Sequence, residues 1–141
     1  VLEVGGHKRE LTVSEKTDTS TLKLVVSRSH RPESIEQIMH RLGATEEMPS
    51  RSVGVKVGLI AEREADLYVH VSDKISLWDA CGPEAVLRAA GGRFTHVDGS
   101  QVNYRAAKMA NVKGILASNA ASFEPVLAAV HAVSKETGFI A

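Results

Sequence analysis

The stretch Trp78-Asp79-Ala80-Cys81-Gly82-Pro83-Glu84-Ala85-Val86-Leu87-Arg88-Ala89-Ala90-Gly91-Gly92 decides the reading of this chain. An acidic residue stands immediately before an apolar run of helical length, and two glycines end that run. The expected helix covers Ala80 to Ala90 and is apolar on nearly every side, so it is expected to be buried. Asp79 then has two compatible roles. As an N-cap, its carboxylate accepts hydrogen bonds from the first free N–H groups and meets the positive end of the helix dipole. As a metal ligand, it offers a hard oxygen donor to Mg²⁺ beside a helix start that also favours an anion such as phosphate.

Working outward, the chain alternates between two periods, which predicts an α/β arrangement. Upstream, Glu10 to Ser14 reads as a short edge strand and Leu22 to Ser27 as a strand buried toward its end. Pro32 suits a helix's first turn, and Ile35, Ile38, Met39 and Leu42 form one face of a helix that Gly43 stops. Val55 to Glu62 reads as a helix and Ala65 to Val71 as a strand. Downstream, Phe94 to Val97 and Val102 to Tyr104 read as strands about an Asp98-Gly99 turn. Gly114 to Ala117 is a further strand, and Ser122 caps a last helix carrying Phe123, Val126, Leu127, Val130 and Val133, which Gly138 ends.

The totals narrow the function classes. Lys plus Arg equals Asp plus Glu at 17 each, with ten of the basic residues before position 64 and seven after it. Broad electrostatic binding to nucleic acid or to an anionic membrane is therefore not expected. A single cysteine excludes an internal disulfide and suits a reducing, cytoplasmic setting. No run of about 18 apolar residues offers a membrane span. The six histidines show no spacing of the kind zinc uses. Free cysteine is usually a small buried apolar residue, which is the expectation for Cys81, and Trp78 is expected to pack so as to fix Asp79.

Trp78-Asp79, a small residue, an apolar helix and Ala90-Gly91-Gly92 together resemble the second signature of the inositol monophosphatase superfamily. Ser27-Arg28-Ser29-His30 after a strand, and Gly54 to Glu62 leading to Ala65-Asp66-Leu67-Tyr68, resemble its 3'(2'),5'-bisphosphate nucleotidase branch. Asp98-Gly99 and Tyr104 continue the likeness, which runs from about Leu11 to about Ala132. The resemblance implies the carboxyl-terminal α/β domain of the sugar-phosphatase fold, a mixed sheet flanked by helices. It implies a Mg²⁺-dependent phosphomonoesterase that removes the 3'-phosphate of adenosine 3',5'-bisphosphate, the alternative being an inositol or sugar-bisphosphate phosphatase. Asp79 inherits a metal-ligand role; Ser27, His30, Ser52 and Lys56 inherit substrate contacts.

Some positions depart from the pattern. Arg51 and Arg63 stand where the branch usually has glycine, and His70 stands where many members have an arginine near phosphate. The family's first signature, Asp-Pro-Xaa-Asp-Gly-Thr, and its upstream Glu-Glu pair do not occur. The chain is therefore expected to be a carboxyl-terminal half whose partner is the missing amino-terminal half of the same enzyme. Residues 1–15 would be a remnant of that half's sheet and 16–141 the phosphatase domain. Alone, it is expected to have little or no phosphatase activity. A stand-alone nucleotide-binding domain without catalysis is the remaining alternative.

Overall fold

A computed structural model of the chain describes residues 1–29, 31–105 and 113–141. Five strands form one mixed sheet in the order β4-β3-β5-β7-β6. They are β3 (Lys23–Ser27), β4 (Glu46–Ser50), β5 (Leu67–His70), β6 (Arg93–Thr95) and β7 (Ile115–Ser118). β3 runs parallel to both β4 and β5, while β7 is antiparallel to β5 and β6.

Among the described residues, four α-helices cover the two faces. α1 (Glu33–Leu42) and α4 (Phe123–Glu136) lie on one side, and α2 (Val53–Ala61) and α3 (Leu77–Ala89) on the other. The two-residue period of the strands divides the core accordingly. Leu24, Val26, Leu67, Val69 and Leu116 pack with Ile38, Leu42, Val126 and Val130. Val25, Tyr68, Ile115 and Ala117 pack with Val57, Ile60, Ala80 and Leu87. Ile35, Ile38, Met39 and Leu42 are the buried stripe of α1, and Gly43 ends it at φ 70°, a conformation costly for any residue with a Cβ.

Several expectations change. Glu10 to Ser14 is not a strand. The amino terminus instead forms a hairpin of β1 (Leu2–Val4) and β2 (His7–Arg9), and the following segment has no strand partner. That segment is held by Val13 N–H donating to Ala90 O at 2.9 Å and by Val13 in the core. β4, sequence Glu-Glu-Met-Pro-Ser, carries almost no strand signal, yet it pairs along its whole length with β3. It is an edge strand, where a proline costs no ladder bond on the open side. Val102 to Tyr104 is no strand; the Asp98-Gly99 turn exists, closed by His96 N–H donating to Ser100 O, but among the described residues no second arm follows it.

α3 begins at Leu77, three residues earlier than expected, with Ser76 at its cap position. Asp79 is thus in the first turn and is not the cap. Nor is α3 buried all round: Leu77, Ala80, Glu84 and Leu87 face inward, whereas Val86 is 45% exposed. Cys81 is exposed, against the expectation of burial, and Trp78, expected to pack so as to fix Asp79, is 66% exposed. Ser122 stands at the cap position of α4 but makes no capping bond; its hydroxyl donates to Asn119 Oδ1 instead. Arg63 keeps the turn that a glycine would make, at φ 65°. That strain is offset where its Nε donates to Thr12 O at 2.9 Å and Val13 O at 3.1 Å. Among the described residues no helix is long and apolar enough to cross a membrane.

Candidate functional site

Ser27 is the last residue of β3 and His70 the last of β5. The parallel register pairs Val25 with Tyr68, and carrying it on sets Ser27 beside His70. Both point to the α2/α3 face, because they share the parity of Val25 and Tyr68. α1, α2 and α3 each follow a strand of the parallel set, so their N-termini gather at this carboxyl edge of the sheet. That edge is where open α/β sheets bind ligands, and free N–H groups there favour anions.

Lys56 of α2 is the most informative side chain. It is 3% exposed, yet no carboxylate among the described residues pairs with it. Its ammonium donates to the Ser27 hydroxyl at 2.8 Å and lies 4.9 Å from the centre of the Tyr68 ring. Burial holds its pKa below the ordinary 10.5. A buried cation offset only by a hydroxyl and a ring face retains a strong preference for an anion.

His70 sits against this cation. Burial, and secondly the positive charge of Lys56, hold its pKa below 6.5, so its imidazole is neutral at pH 7. Its Nε2 is buried with no hydrogen-bond partner among the described residues. Tyr68, 6.4 Å from the His70 ring, is pushed up to about 12 by burial. Beside them opens a cavity of about 400 Å³. Ser27, Ser29, Arg31, His70 and Lys74 give it a polar side, and Ile35 and Val69 an apolar wall.

The other expected residues fall as follows. Ser52 is the cap of α2, its hydroxyl accepting from Val55 N–H at 3.2 Å. His30 lies outside the described residues. Asp79 is exposed in the first turn of α3, which packs against α2, and its Oδ2 accepts from the Ser76 hydroxyl at 2.6 Å. A lone oxygen donor suits Mg²⁺ in kind but not in number. No group of three or more His, Cys, Asp or Glu among the described residues is arranged to hold a metal. These residues therefore do not make a metal centre by themselves. Tyr68 was the residue that sequence reasoning missed. The signal was present in the alternation of β5, which puts residues 68 and 70 on one face, but nothing local says that Lys56 lies over it.

The sequence profile of the inositol monophosphatase family matches residues 3–135, and the chain belongs to that family. It is 31% identical over 101 residues to a 3'(2'),5'-bisphosphate nucleotidase 1 of Dictyostelium discoideum, covering 70% of this chain and 32% of that protein. It is 30% identical over 120 residues to inositol monophosphatase 3 of Danio rerio, covering 80% and 35%. It is 33% identical over 104 residues to a Golgi-resident adenosine 3',5'-bisphosphate 3'-phosphatase of Mus musculus, covering 69% and 28%. In fold it is similar to an inositol monophosphatase from Anabaena, with TM-score 0.67 and 24% identity over 87% of this chain and 49% of that one. A Thermotoga maritima IMPase gives TM-score 0.71 and 16% identity over 94% and 48%. The fold is thus the carboxyl-terminal domain of the inositol monophosphatase architecture. The chain spans about a third of the curated relatives and just under half of the solved structures.

Proposed function

We propose that this chain is the substrate-holding half of a Mg²⁺-dependent phosphomonoesterase that removes the 3'-phosphate of adenosine 3',5'-bisphosphate. The observation that carries it is the buried Lys56 ammonium, without a carboxylate partner among the described residues and hydrogen-bonded to Ser27 at the carboxyl edge of the sheet. Such a cation anchors a phosphate oxygen, while Ser27 orients the group through its hydroxyl. His30 and the Ser52 cap contribute further substrate contacts. The cavity beside Ser27 and His70 takes the rest of the ester, its apolar wall excluding water from one side.

Asp79 supplies one oxygen ligand to the metal, and the remaining ligands come from an amino-terminal half outside this chain. When bound, Mg²⁺ supplies charge neutralisation at phosphate and a more acidic water. Residues 1–15, with their β1–β2 hairpin, belong with that other half, and 16–141 form the phosphatase domain. The 141-residue chain alone has little or no activity. The second reading is an inositol phosphate phosphatase. The likeness to inositol monophosphatase 3, which covers more of this chain than the nucleotidase likeness does, favours it. The single cysteine supports a cytoplasmic setting, and the relative named for the Golgi marks the other possibility.

The test is turnover by the natural gene product carrying this segment, with Mg²⁺, on adenosine 3',5'-bisphosphate and on inositol 1-phosphate, each with wild type and Lys56→Met. Preference for the bisphosphate, with KM raised in the variant, supports the reading. Preference for the inositol ester overturns the substrate, and unchanged KM in Lys56→Met overturns the anchor.

A further inference from the structure

A buried ammonium needs something to offset its lost hydration, yet a carboxylate partner would cancel the charge that attracts a ligand. The ring of Tyr68 meets both requirements of Lys56. Its centre lies 4.9 Å from Lys56 Nζ, within the range in which a ring face attracts a cation. The face offers negative potential without a net charge, so the cation is steadied and not neutralised. An ammonium carries three N–H groups, and the Ser27 hydroxyl accepts from Lys56 at 2.8 Å. The ring has no lone pair to claim another, which leaves donors for an oxyanion.

The ring is also a fixed platform. Tyr68 is 2% exposed, and its strand position lies between Val25 of β3 and Ala117 of β7. It packs in one core cluster with Val57 and Ile60 of the helix that carries Lys56. A lysine stem is flexible by itself, and ordering it at the moment of binding weakens affinity. We propose that Tyr68 is a positioning residue of the anion site: the face of its ring, and not its hydroxyl, holds the Lys56 ammonium in place beside Ser27 before a ligand arrives. This rests on the reading of Lys56 as the phosphate anchor and adds to it the group that sets the anchor. Tyr68 meets no ligand itself and acts through Lys56 alone. An anchor lost from ground state and transition state alike raises KM and spares kcat.

The test keeps the shape of the ring and weakens its face. In the natural gene product carrying this segment, with Mg²⁺, Tyr68 is replaced by phenylalanine and by phenylalanines bearing one, two and three ring fluorines, which withdraw negative potential from the face. KM and kcat are measured on the better of the two esters, with and without Lys56→Met. Relative to Tyr68→Phe, the trifluorinated ring should raise KM by about tenfold at unchanged kcat, with the intermediate rings in order. In the Lys56→Met background the same series should be flat, because the two side chains act as one unit. A KM that ignores the fluorines, or that rises equally in Lys56→Met, overturns the proposal and leaves the anchor standing. A loss already complete at Tyr68→Phe assigns the effect to the hydroxyl and overturns the proposal too. Turnover of neither ester, or a KM indifferent to Lys56→Met, overturns the anchor and the proposal with it.

Discussion

Lys56 Nζ and Ser27 Oγ meet at 2.8 Å, joining the first half of α2 to the last residue of β3. The contact brings a buried cation to the edge of the sheet where the N-termini of α1, α2 and α3 gather. It ties the anion preference of the site to two elements separated by α1 and β4 in the chain.

Lys56→Met should separate binding from stability. Removing an unpaired buried charge in favour of an apolar side chain of similar length is expected to leave the melting temperature unchanged or raise it. Affinity for a phosphate ester should fall by at least about tenfold, or about 1.4 kcal/mol. Calorimetric titration and a thermal melt on the same samples check both; a lower melting temperature with unchanged affinity would make Lys56 a structural residue.

Asp79→Asn distinguishes a ligand from a helix-end charge. Asn still accepts the Ser76 hydroxyl, so the only structural loss is the dipole interaction of an exposed carboxylate, up to about 1 kcal/mol. Mg²⁺-dependent turnover by the natural product should fall by at least about a hundredfold, about 2.7 kcal/mol in barrier. Turnover within a few fold of wild type would leave Asp79 with the helix-end role alone.

Tyr68 predicts an alkaline limit. Its pKa is 10.0 in the unfolded reference and about 12 in the fold. Between those values the unfolded chain has lost a proton that the folded chain keeps. The contribution is fully present below pH 10 and disappears as pH rises through about 12. Its full size is about 2–3 kcal/mol. In denaturant melts at stepped alkaline pH, wild type should lose about 2–3 kcal/mol relative to Tyr68→Phe across this window; parallel curves would mean that the phenol is not held neutral by the fold.

Asp66 is 1% exposed. It takes the Ser14 hydroxyl at 2.5 Å, the Lys16 ammonium at 2.8 Å and the Lys23 N–H at 2.8 Å. Asn119 joins the group through Ser14 and Lys16 O, each at 3.0 Å. Asp66→Ala should cost about 1–3 kcal/mol, because the half-buried Ser14 hydroxyl and Lys23 N–H lose their acceptor while the exposed Lys16 ammonium returns to water. Limited proteolysis should then cut the loosened segment around residues 12–18 first; cleavage elsewhere, with unchanged stability, would contradict the clasp.

Gly92 shows close packing rather than backbone freedom. A Cβ there would lie 2.5 Å from Leu87 Cδ1 and 2.9 Å from Ser118 O. The leucine can turn away, but the β7 carbonyl cannot, so Gly92→Ala should destabilise by about 2–3 kcal/mol in equilibrium unfolding. A loss below about 0.5 kcal/mol would mean that the α3–β6 junction relaxes freely.

The local code of this chain was enough for α1, α2, β3, β5, β7 and α4. Their apolar spacings, Pro32, Gly43 and Ser52 act within a few residues, and their boundaries fell within about three residues of expectation. The Trp78-to-Gly92 pattern likewise pointed to the family whose profile covers residues 3–135. What tertiary structure alone decided depends on partners distant in the chain. β4 is a strand because β3 offers it a free ladder edge, in spite of its own Glu-Glu-Met-Pro-Ser. Residues 10–14 alternate like a strand but find no ladder. Trp78, Cys81 and Val86 are apolar yet exposed, because only one side of α3 meets the core. Lys56 is charged yet buried, and its proximity to Ser27, Tyr68 and His70 exists only once α2 lies across the sheet. Periodicity is written into neighbouring residues, whereas burial and the pairing of charges are set by which surfaces the fold brings together.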